Sequence, residues 1–218
     1  MHPFLAAIVN KAIISSALSA FQDQDLSLDR IDLNCTGLEA LAEYSSANEQ
    51  SPGLFVHIDW SATHILFRTN KCINKIRALS IGLRNIFMQI SSQSGSAEQE
   101  VFENLIGISN LEHIQNHLED NNLLNDQIVT KAIADVIGRI VRDIEMTVAE
   151  AGQYSDNLET SSTYLSGLAT EFPLIMDEIN RLLQLPVIKL KDKINHELLQ
   201  DAKLAQHFSY LEIATGLA

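Results

Sequence analysis

The sequence is short of cysteine and of basic residues, and both shortages exclude classes of protein. Its 218 residues include only two cysteines, Cys35 and Cys72. Two are too few for a disulfide framework or a structural zinc site, so we expect reduced thiols in a cytoplasmic protein. Fifteen Lys and Arg against 28 Asp and Glu give a formal net charge of −13. Because nucleic-acid binding requires basic residues to neutralise phosphates, we expect no nucleic-acid partner.

Long apolar runs and nucleotide-binding signatures are also missing. No run of about 18 apolar residues occurs, so we expect no direct insertion into a membrane. The apolar stretch at residues 3–9 follows no basic segment, which argues against a signal peptide. The sequence contains no Walker A loop, no G-x-G-x-x-G and no G-x-S-x-G elbow, so nothing in it favours a hydrolase or a dinucleotide enzyme.

Strand-like and helix-like segments alternate along the chain, a pattern typical of α/β proteins. Short apolar runs predict strands, with a three-stranded meander in the middle, at residues 4–9, 26–33, 54–60, 64–69, 74–81, 163–166 and 187–190. Apolar residues at helical spacing predict helices at residues 11–22, 37–44, 83–90, 97–153, 170–185 and 195–218. Asn10 and Thr36 are predicted N-caps, and Pro173 is predicted in a first helical turn. The serine-rich residues 91–96 are interpreted as a linker.

His57 and Asp59 are two residues apart on a predicted strand, so their side chains should point to one face. Asp59 ends the most apolar strand, where open α/β sheets bind ligands, and its carboxylate could hold the water shell of Mg²⁺. Alternatively, the carboxylate accepts backbone N–H groups from the turn that follows. His57 alone is more typical of a hydrogen-bonded core histidine.

Two further groups of polar residues admit a structural and a functional interpretation. His113 and His117 are four residues apart and could share a metal, but no third ligand is evident, and an exposed helix face explains them equally well. Acidic residues cluster at 98–103, 112–126 and 177–178. They are interpreted as solvated helix faces or as a patch that receives a basic partner.

Several segments resemble the actin-like ATPase superfamily, in the order in which the family has them. Residues 55–67 (FVHIDWSATHILF) resemble its second phosphate loop, in which a buried strand ends in Asp. Residues 77–85 (RALSIGLRN) resemble the segment that closes the meander, and residues 163–175 (TYLSGLATEFPLI) resemble the adenosine-side turn. The pattern is most similar to the PilM-like proteins of type IV pilus assembly and to the related cytoplasmic domain of the type II secretion L protein.

The resemblance implies a nucleotide site, and it also implies that the site is vestigial. The implied cofactor-binding residues are Asp59, Ser61, Thr63, Gly82, Ser166 and Gly167. The family has glycine where Ser61 stands, and a second glycine where Leu83 and Leu168 follow Gly82 and Gly167. Since glycine lets backbone approach a phosphate closely, these replacements predict a weakened site.

The fold implied by the resemblance is α/β, with an actin-like (ribonuclease H-like) mixed sheet flanked by helices and without the amino-terminal part of the full fold. Residues 1–50 are interpreted as the remnant of an inserted subdomain with its return helix. Residues 51–218 are interpreted as the second domain, built from a meander (54–82), a helical block (97–153) and a strand–helix–strand–helix unit (163–218).

The function implied by the resemblance is that of a noncatalytic cytoplasmic scaffold, peripheral to the inner membrane. It would bind the short cytoplasmic tail of a membrane-anchored assembly protein, with no cofactor. The alternative is an actin-like ATPase that binds ATP with Mg²⁺, and a second alternative is an unrelated α/β domain. An uncovered face on the strand at 54–60 would favour a homodimer.

Overall fold

The computed structural model describes residues 10–24, 33–44, 53–69, 72–106, 126–152, 162–183 and 185–194. Within them, five strands form one sheet in the order β3-β2-β1-β4-β5. The strands are β1 (Gly53–Ile58), β2 (Thr63–Thr69), β3 (Cys72–Leu79), β4 (Ser162–Ser166) and β5 (Val187–Lys189). The predicted meander and both later strands are therefore confirmed. The strand predicted at 4–9 lies outside the described residues, as do the helix at 195–218, the pair His113 and His117, and all of the strand predicted at 26–33 except Leu33, which is not in a strand.

The sheet is mixed, and this decides where its functional edge lies. β1 and β2 are antiparallel, as are β2 and β3, whereas β4 runs parallel to β1 and β5 parallel to β4. Every strand except β2 therefore points the same way. We call the end at which β1, β3 and β4 finish the carboxyl edge; residues 59–62, 80–82 and 167 follow those strands there.

The described part of the chain contains six helices. They are α1 (Lys11–Gln22), α2 (Asn34–Tyr44), α3 (Leu83–Ser94), α4 (Glu98–Leu105), α5 (Asp126–Gly152) and α6 (Pro173–Leu182), with 3₁₀ turns at Leu168–Glu171 and Leu190–Lys193. None of these helices is long and apolar enough to cross a membrane. The contacts divide the chain into residues 1–33 and 34–218, and α1 is the described helix of the first unit. Asn10 caps α1 as predicted, because its side chain accepts a hydrogen bond from the Ala12 amide.

The second unit has an apolar core on each face of the sheet. Leu54, Val56 and Ile58 of β1 point into the larger core, which α3, α5 and α6 cover. Phe55 points the other way, into a smaller core that α2 and the turn at Leu190–Lys193 cover. The predicted stripe of α5 is confirmed, since it faces the larger core through Ile128, Ala132, Val136, Ile140, Ile144 and Val148.

Ion pairs fix two helices on the sheet. On the α5 side, Arg77 of β3 binds Asp143 and Glu150 at 3.0 and 2.7 Å. On the α2 side, the buried Arg68 of β2 binds Glu43 at 3.1 Å. Since an unpaired charge is costly to bury, the pair of the buried Arg68 specifies where α2 lies against the sheet, whereas the partly exposed Arg77 pairs contribute less.

Three predicted boundaries are wrong, and two of them have a local reason in the backbone. α2 begins at Asn34, before the predicted cap Thr36. The predicted linker at 91–96 is largely helical, because α3 continues to Ser94 and ends at Gly95, whose φ of 79° suits a left-handed C-cap. The helix predicted at 170–185 begins only at Pro173 and ends at Leu182. Proline disfavours helical backbone in the preceding residue, and Phe172 is extended accordingly.

Candidate functional site at the carboxyl edge of the sheet

Backbone hydrogen bonds join the loop after β1 to the start of α3. The amide of Leu83 donates to the Asp59 carbonyl at 3.0 Å, and the amide of Arg84 donates to the Trp60 carbonyl at 2.8 Å. The Gly82 amide donates to the Asn85 side chain at 2.9 Å. Amides at a helix N-terminus can bind a phosphate, but these three already have partners within the protein.

Gly82 and Gly167 lie against the end of β1, one on each side. A Cβ atom on Gly82 would come within 2.5 Å of the Asp59 carbonyl oxygen and 2.6 Å of the Trp60 carbonyl oxygen. A Cβ atom on Gly167 would lie 2.5 Å from the Ile58 carbonyl oxygen. Both glycines are therefore required by close packing of this chain's own backbone, and the space beside them is filled.

The hydroxyl groups of Thr63 and Ser166 are buried and bonded within the protein. Thr63 Oγ1 donates to the Ile81 carbonyl at 2.7 Å, which ties the start of β2 to the end of β3. Ser166 Oγ lies 3.0 Å from His57 Nδ1, which ties β4 to β1. Like Gly82 and Gly167, these two predicted site residues contact other parts of the fold rather than solvent.

Asp59 and Ser61 are the two predicted site residues whose side chains are exposed. The backbone amide of Asp59 donates to the Ala62 carbonyl at 3.0 Å and closes the turn. No hydrogen bond to the Asp59 carboxylate is found among the described residues, so the structure does not show the turn-capping role considered for it. Burial lowers the pKa values of His57 and His64, and the charge of Asp59 opposes both shifts.

His57 is the hydrogen-bonded core histidine that the sequence favoured. It is 4% exposed and lies against Ser166. Burial lowers the pKa of His57 to about 4, and the Asp59 carboxylate opposes that shift only in part. His64, on the neighbouring strand, contacts Asn34 at 3.1 Å, and burial lowers its pKa as well. The His57 imidazole is therefore neutral at physiological pH.

The shifted pKa of His57 predicts acid sensitivity. Between the ordinary value of 6.5 and about 4, the unfolded chain binds a proton that the folded chain does not. Stability is therefore present above pH 6.5 and is lost as the pH falls toward 4. One pKa unit corresponds to about 1.4 kcal/mol. The free energy of unfolding should therefore fall by about 2 kcal/mol between pH 7.5 and pH 5 because of His57. Urea unfolding of the wild type and of His57→Gln at both pH values measures this; equal pH dependence in the two proteins would contradict it.

An aromatic cluster beside the carboxyl edge was not predicted. Trp60 stacks on Phe87 at 5.3 Å between ring centroids and meets Phe102 edge-on at 6.0 Å, and Phe172 lies 5.5 Å from both phenylalanines. The four rings come from the loop after β1, from α3, from α4 and from the residue before α6. No local spacing relates them, so sequence periodicity could not have found the cluster. It anchors the loop that carries Asp59 to the larger core.

The described residues hold no group of three or more His, Cys, Asp or Glu side chains that could bind a metal ion. Cys35 is half-buried and forms no disulfide among the described residues. The acidic cluster at 98–103 belongs to α4, where Val101 and Leu105 are buried and Glu98 binds Arg84 at 3.4 Å. Of the cluster at 112–126, Asp126 begins α5, and the rest lies outside the described residues.

No family model and no curated protein matches this sequence. Solved structures do match its fold. The PilM-PilN type IV pilus biogenesis complex aligns with a TM-score of 0.63 at 14% identity, over 94% of this chain and 56% of the other. MreB 5 of Spiroplasma citri bound to AMPPNP aligns with a TM-score of 0.55 at 10% identity, over 92% of this chain and 67% of the other. An archaeal actin homolog, Ta0583, aligns with a TM-score of 0.52 at 14% identity, over 83% of this chain and 51% of the other.

The chain thus spans little more than half the length of the PilM structure that it matches. At these identities the likeness concerns the fold. That fold is the mixed five-stranded sheet flanked by helices that the resemblance in the sequence predicted. The chain has the actin-like fold.

Proposed function

We propose that this chain is a noncatalytic actin-like scaffold of a type IV pilus or type II secretion assembly. It binds a short cytoplasmic segment of a membrane-anchored partner and works in the cytoplasm, peripheral to the inner membrane. Two observations support this choice within the superfamily: the resemblance of residues 55–67 and 163–175 to PilM-like proteins, and the PilM-PilN complex among the matching structures.

The closed carboxyl edge is the observation that carries the noncatalytic part of the proposal. A phosphate cradle needs free amides and uncovered glycines. Here the amides of Gly82, Leu83 and Arg84 are bonded within the protein, and backbone fills the space beside Gly82 and Gly167. The hydroxyls of Thr63 and Ser166 are bonded as well. Among the described residues, these bonded groups favour a carboxyl edge that does not hold the phosphates of a nucleotide.

A nucleotide-binding ATPase remains the second candidate because of one observation. Asp59 and Ser61 are exposed at the carboxyl edge, where an oxygen-rich site for hydrated Mg²⁺ would be built. One matching structure, MreB 5, carries AMPPNP. We regard this candidate as weaker, since oxygen ligands for the cation do not replace the missing phosphate cradle.

The net charge of −13 supports a basic partner segment. Complementary charge speeds association and selects among partners, and it makes binding sensitive to salt. A cytoplasmic tail that carries Lys or Arg fits this surface. In PilM-like proteins such a tail docks as an extended peptide, through main-chain hydrogen bonds and side-chain pockets.

Thermal unfolding with two kinds of ligand tests the proposal. A ligand at about 100 times its Kd adds roughly 2.7 kcal/mol to the folded state, a Tm increase of about 5 to 10 °C for a chain of this size. We expect that increase with peptides from the cytoplasmic tails of PilN-type proteins, and no change with millimolar Mg-ATP or Mg-ADP.

Asp59→Ala is the control for the nucleotide measurement. An increase in Tm with Mg-ATP that disappears in Asp59→Ala would favour the ATPase and contradict the scaffold. If neither nucleotide nor tail peptides change the Tm of the wild type, the pilus or secretion role is wrong.

A further inference from the structure

An apolar strip runs from the carboxyl edge along α4. Trp60 is half-buried and contacts Phe102, which is half-buried in turn. Ile106 is the C-cap residue directly after α4, and its backbone amide donates to the Phe102 carbonyl at 3.0 Å. The Ile106 side chain is 41% exposed. We call Trp60, Phe102 and Ile106 the α4 strip.

Negative charge surrounds the α4 strip. Helix α4 has the sequence EQEVFENL, with three glutamates and no basic residue. Glu98 is on the same helix face as Phe102, four residues before it, and Asp59 precedes Trp60 in the loop. In the described part of the chain, Arg84 is a cation next to this helix, and Glu98 already binds it at 3.4 Å. Among the described residues, the charged side chains beside the strip are therefore Asp59, Arg84, Glu98 and Glu103, with a net negative charge, whereas Glu100 lies on the opposite face of α4.

We propose that the α4 strip is the docking surface for a partner segment that combines apolar anchors with Lys or Arg. A half-buried tryptophan backed by packed aromatic rings is typical of the residues that dominate binding energy. The acidic side chains around it select a basic segment and reject an acidic one. The inference rests on the proposed scaffold function and names the surface that would receive the partner.

The same charges make a second copy of this chain an unfavourable occupant. Each copy carries a net charge of −13 and would bring its own α4 glutamates to the contact. An acidic membrane leaflet is unfavourable for the same reason. The basic partner segment is the occupant that the charge around the strip complements.

Binding of two matched synthetic peptides tests the proposal on the full chain. Both have about 15 residues with the same leucine anchors; one carries Lys and Arg between the anchors and the other carries Glu. We expect the basic peptide to bind, to change the fluorescence of Trp60, the single tryptophan, and to lose affinity as salt is added. We expect the acidic peptide not to bind.

Three variants locate the binding. Ile106→Ser should weaken binding of the basic peptide about tenfold, since it removes an exposed anchor while keeping the backbone hydrogen bond. Glu103→Gln should weaken it to a smaller extent and reduce the salt dependence. Met146→Ser is the matched control, because Met146 is an exposed apolar residue (52%) on the part of α5 that faces the start of β3, away from the carboxyl edge. Its affinity should stay within about twofold of the wild type.

Equal affinities of Ile106→Ser and Met146→Ser would overturn the docking surface, as would equal binding of the acidic and basic peptides. Failure of the scaffold function looks different. If the basic peptide binds at the strip while PilN-type tails do not, the surface is right and the pilus or secretion partner is wrong. If the tails bind equally well to Ile106→Ser and to the wild type, the scaffold stands and the strip does not serve it.

Discussion

Gly167→Ala is expected to lower the free energy of unfolding by about 3 kcal/mol or more, as the sum of two costs. The backbone of Gly167 has φ of 86° and ψ of −176°, a conformation that residues with a Cβ rarely adopt. The new Cβ would also lie 2.5 Å from the Ile58 carbonyl oxygen and 3.0 Å from His57 Cε1. Relief would require β4 to move away from β1, which the hydrogen bond between Ser166 and His57 opposes.

Gly138→Ala is the matched control for Gly167→Ala. Gly138 is inside α5, and a Cβ atom there would meet nothing within 4 Å. Alanine is the better helix former, so this variant should gain about 1 kcal/mol. Urea unfolding of both variants measures the difference. Two alanine variants with stabilities within 1 kcal/mol of each other would show that the close packing at Gly167 is not a constraint.

Phe87→Ala is expected to lower the free energy of unfolding by about 3 to 5 kcal/mol, the range found for truncating a buried aromatic residue. Phe87 is fully buried and lies within 5.5 Å, between ring centroids, of Trp60, Phe102 and Phe172. Its removal opens a cavity at the centre of the aromatic cluster. The Trp60 ring loses its stacking partner, so its fluorescence emission should shift to longer wavelength even in the folded protein.

The next residue along α3 provides the control for Phe87→Ala. Met88 is 45% exposed and so points away from the core. Met88→Ala should change stability by less than about 0.5 kcal/mol and leave the Trp60 emission unchanged. A cost below about 1 kcal/mol for Phe87→Ala would mean that the cluster collapses around the missing ring and does not hold the loop in place.

The sequence predicted the elements whose signals are local. The meander follows from apolar runs separated by turn residues, and α5 follows from one apolar stripe that begins at Ile128 and ends at Val148. The end of α3 was missed because serine composition at 91–94 indicated a linker, whereas the capping geometry of Gly95 decides where the helix stops. Local composition and local capping can disagree, and capping prevails when the preceding turns are already packed.

The candidate site could be predicted only in position. The apolar run that ends in Asp59 indicated a buried strand, and the carboxyl edge is where such a strand presents its last side chain. The hydrogen-bond partners of the Thr63 and Ser166 hydroxyl groups could not be predicted, because those partners are distant in sequence. Thr63 bonds a residue 18 positions away, and Ser166 bonds one 109 positions away. The same holds for the space beside Gly82 and Gly167, which backbone from the β1 end fills.

The parallel pairing of β1 with β4 also determines when the sheet can be completed during synthesis of the chain. The meander is contiguous in the chain, but the strand that covers its open side is complete only at Ser166, 109 residues after His57. At a synthesis rate of about 5 to 20 residues per second, β4 is synthesised roughly 5 to 20 s after β1. During that interval the edge of β1 that will pair with β4 is unpaired and could form hydrogen bonds with another chain. We therefore expect chaperone binding to the nascent chain to be greatest between the synthesis of β3 and the synthesis of β4.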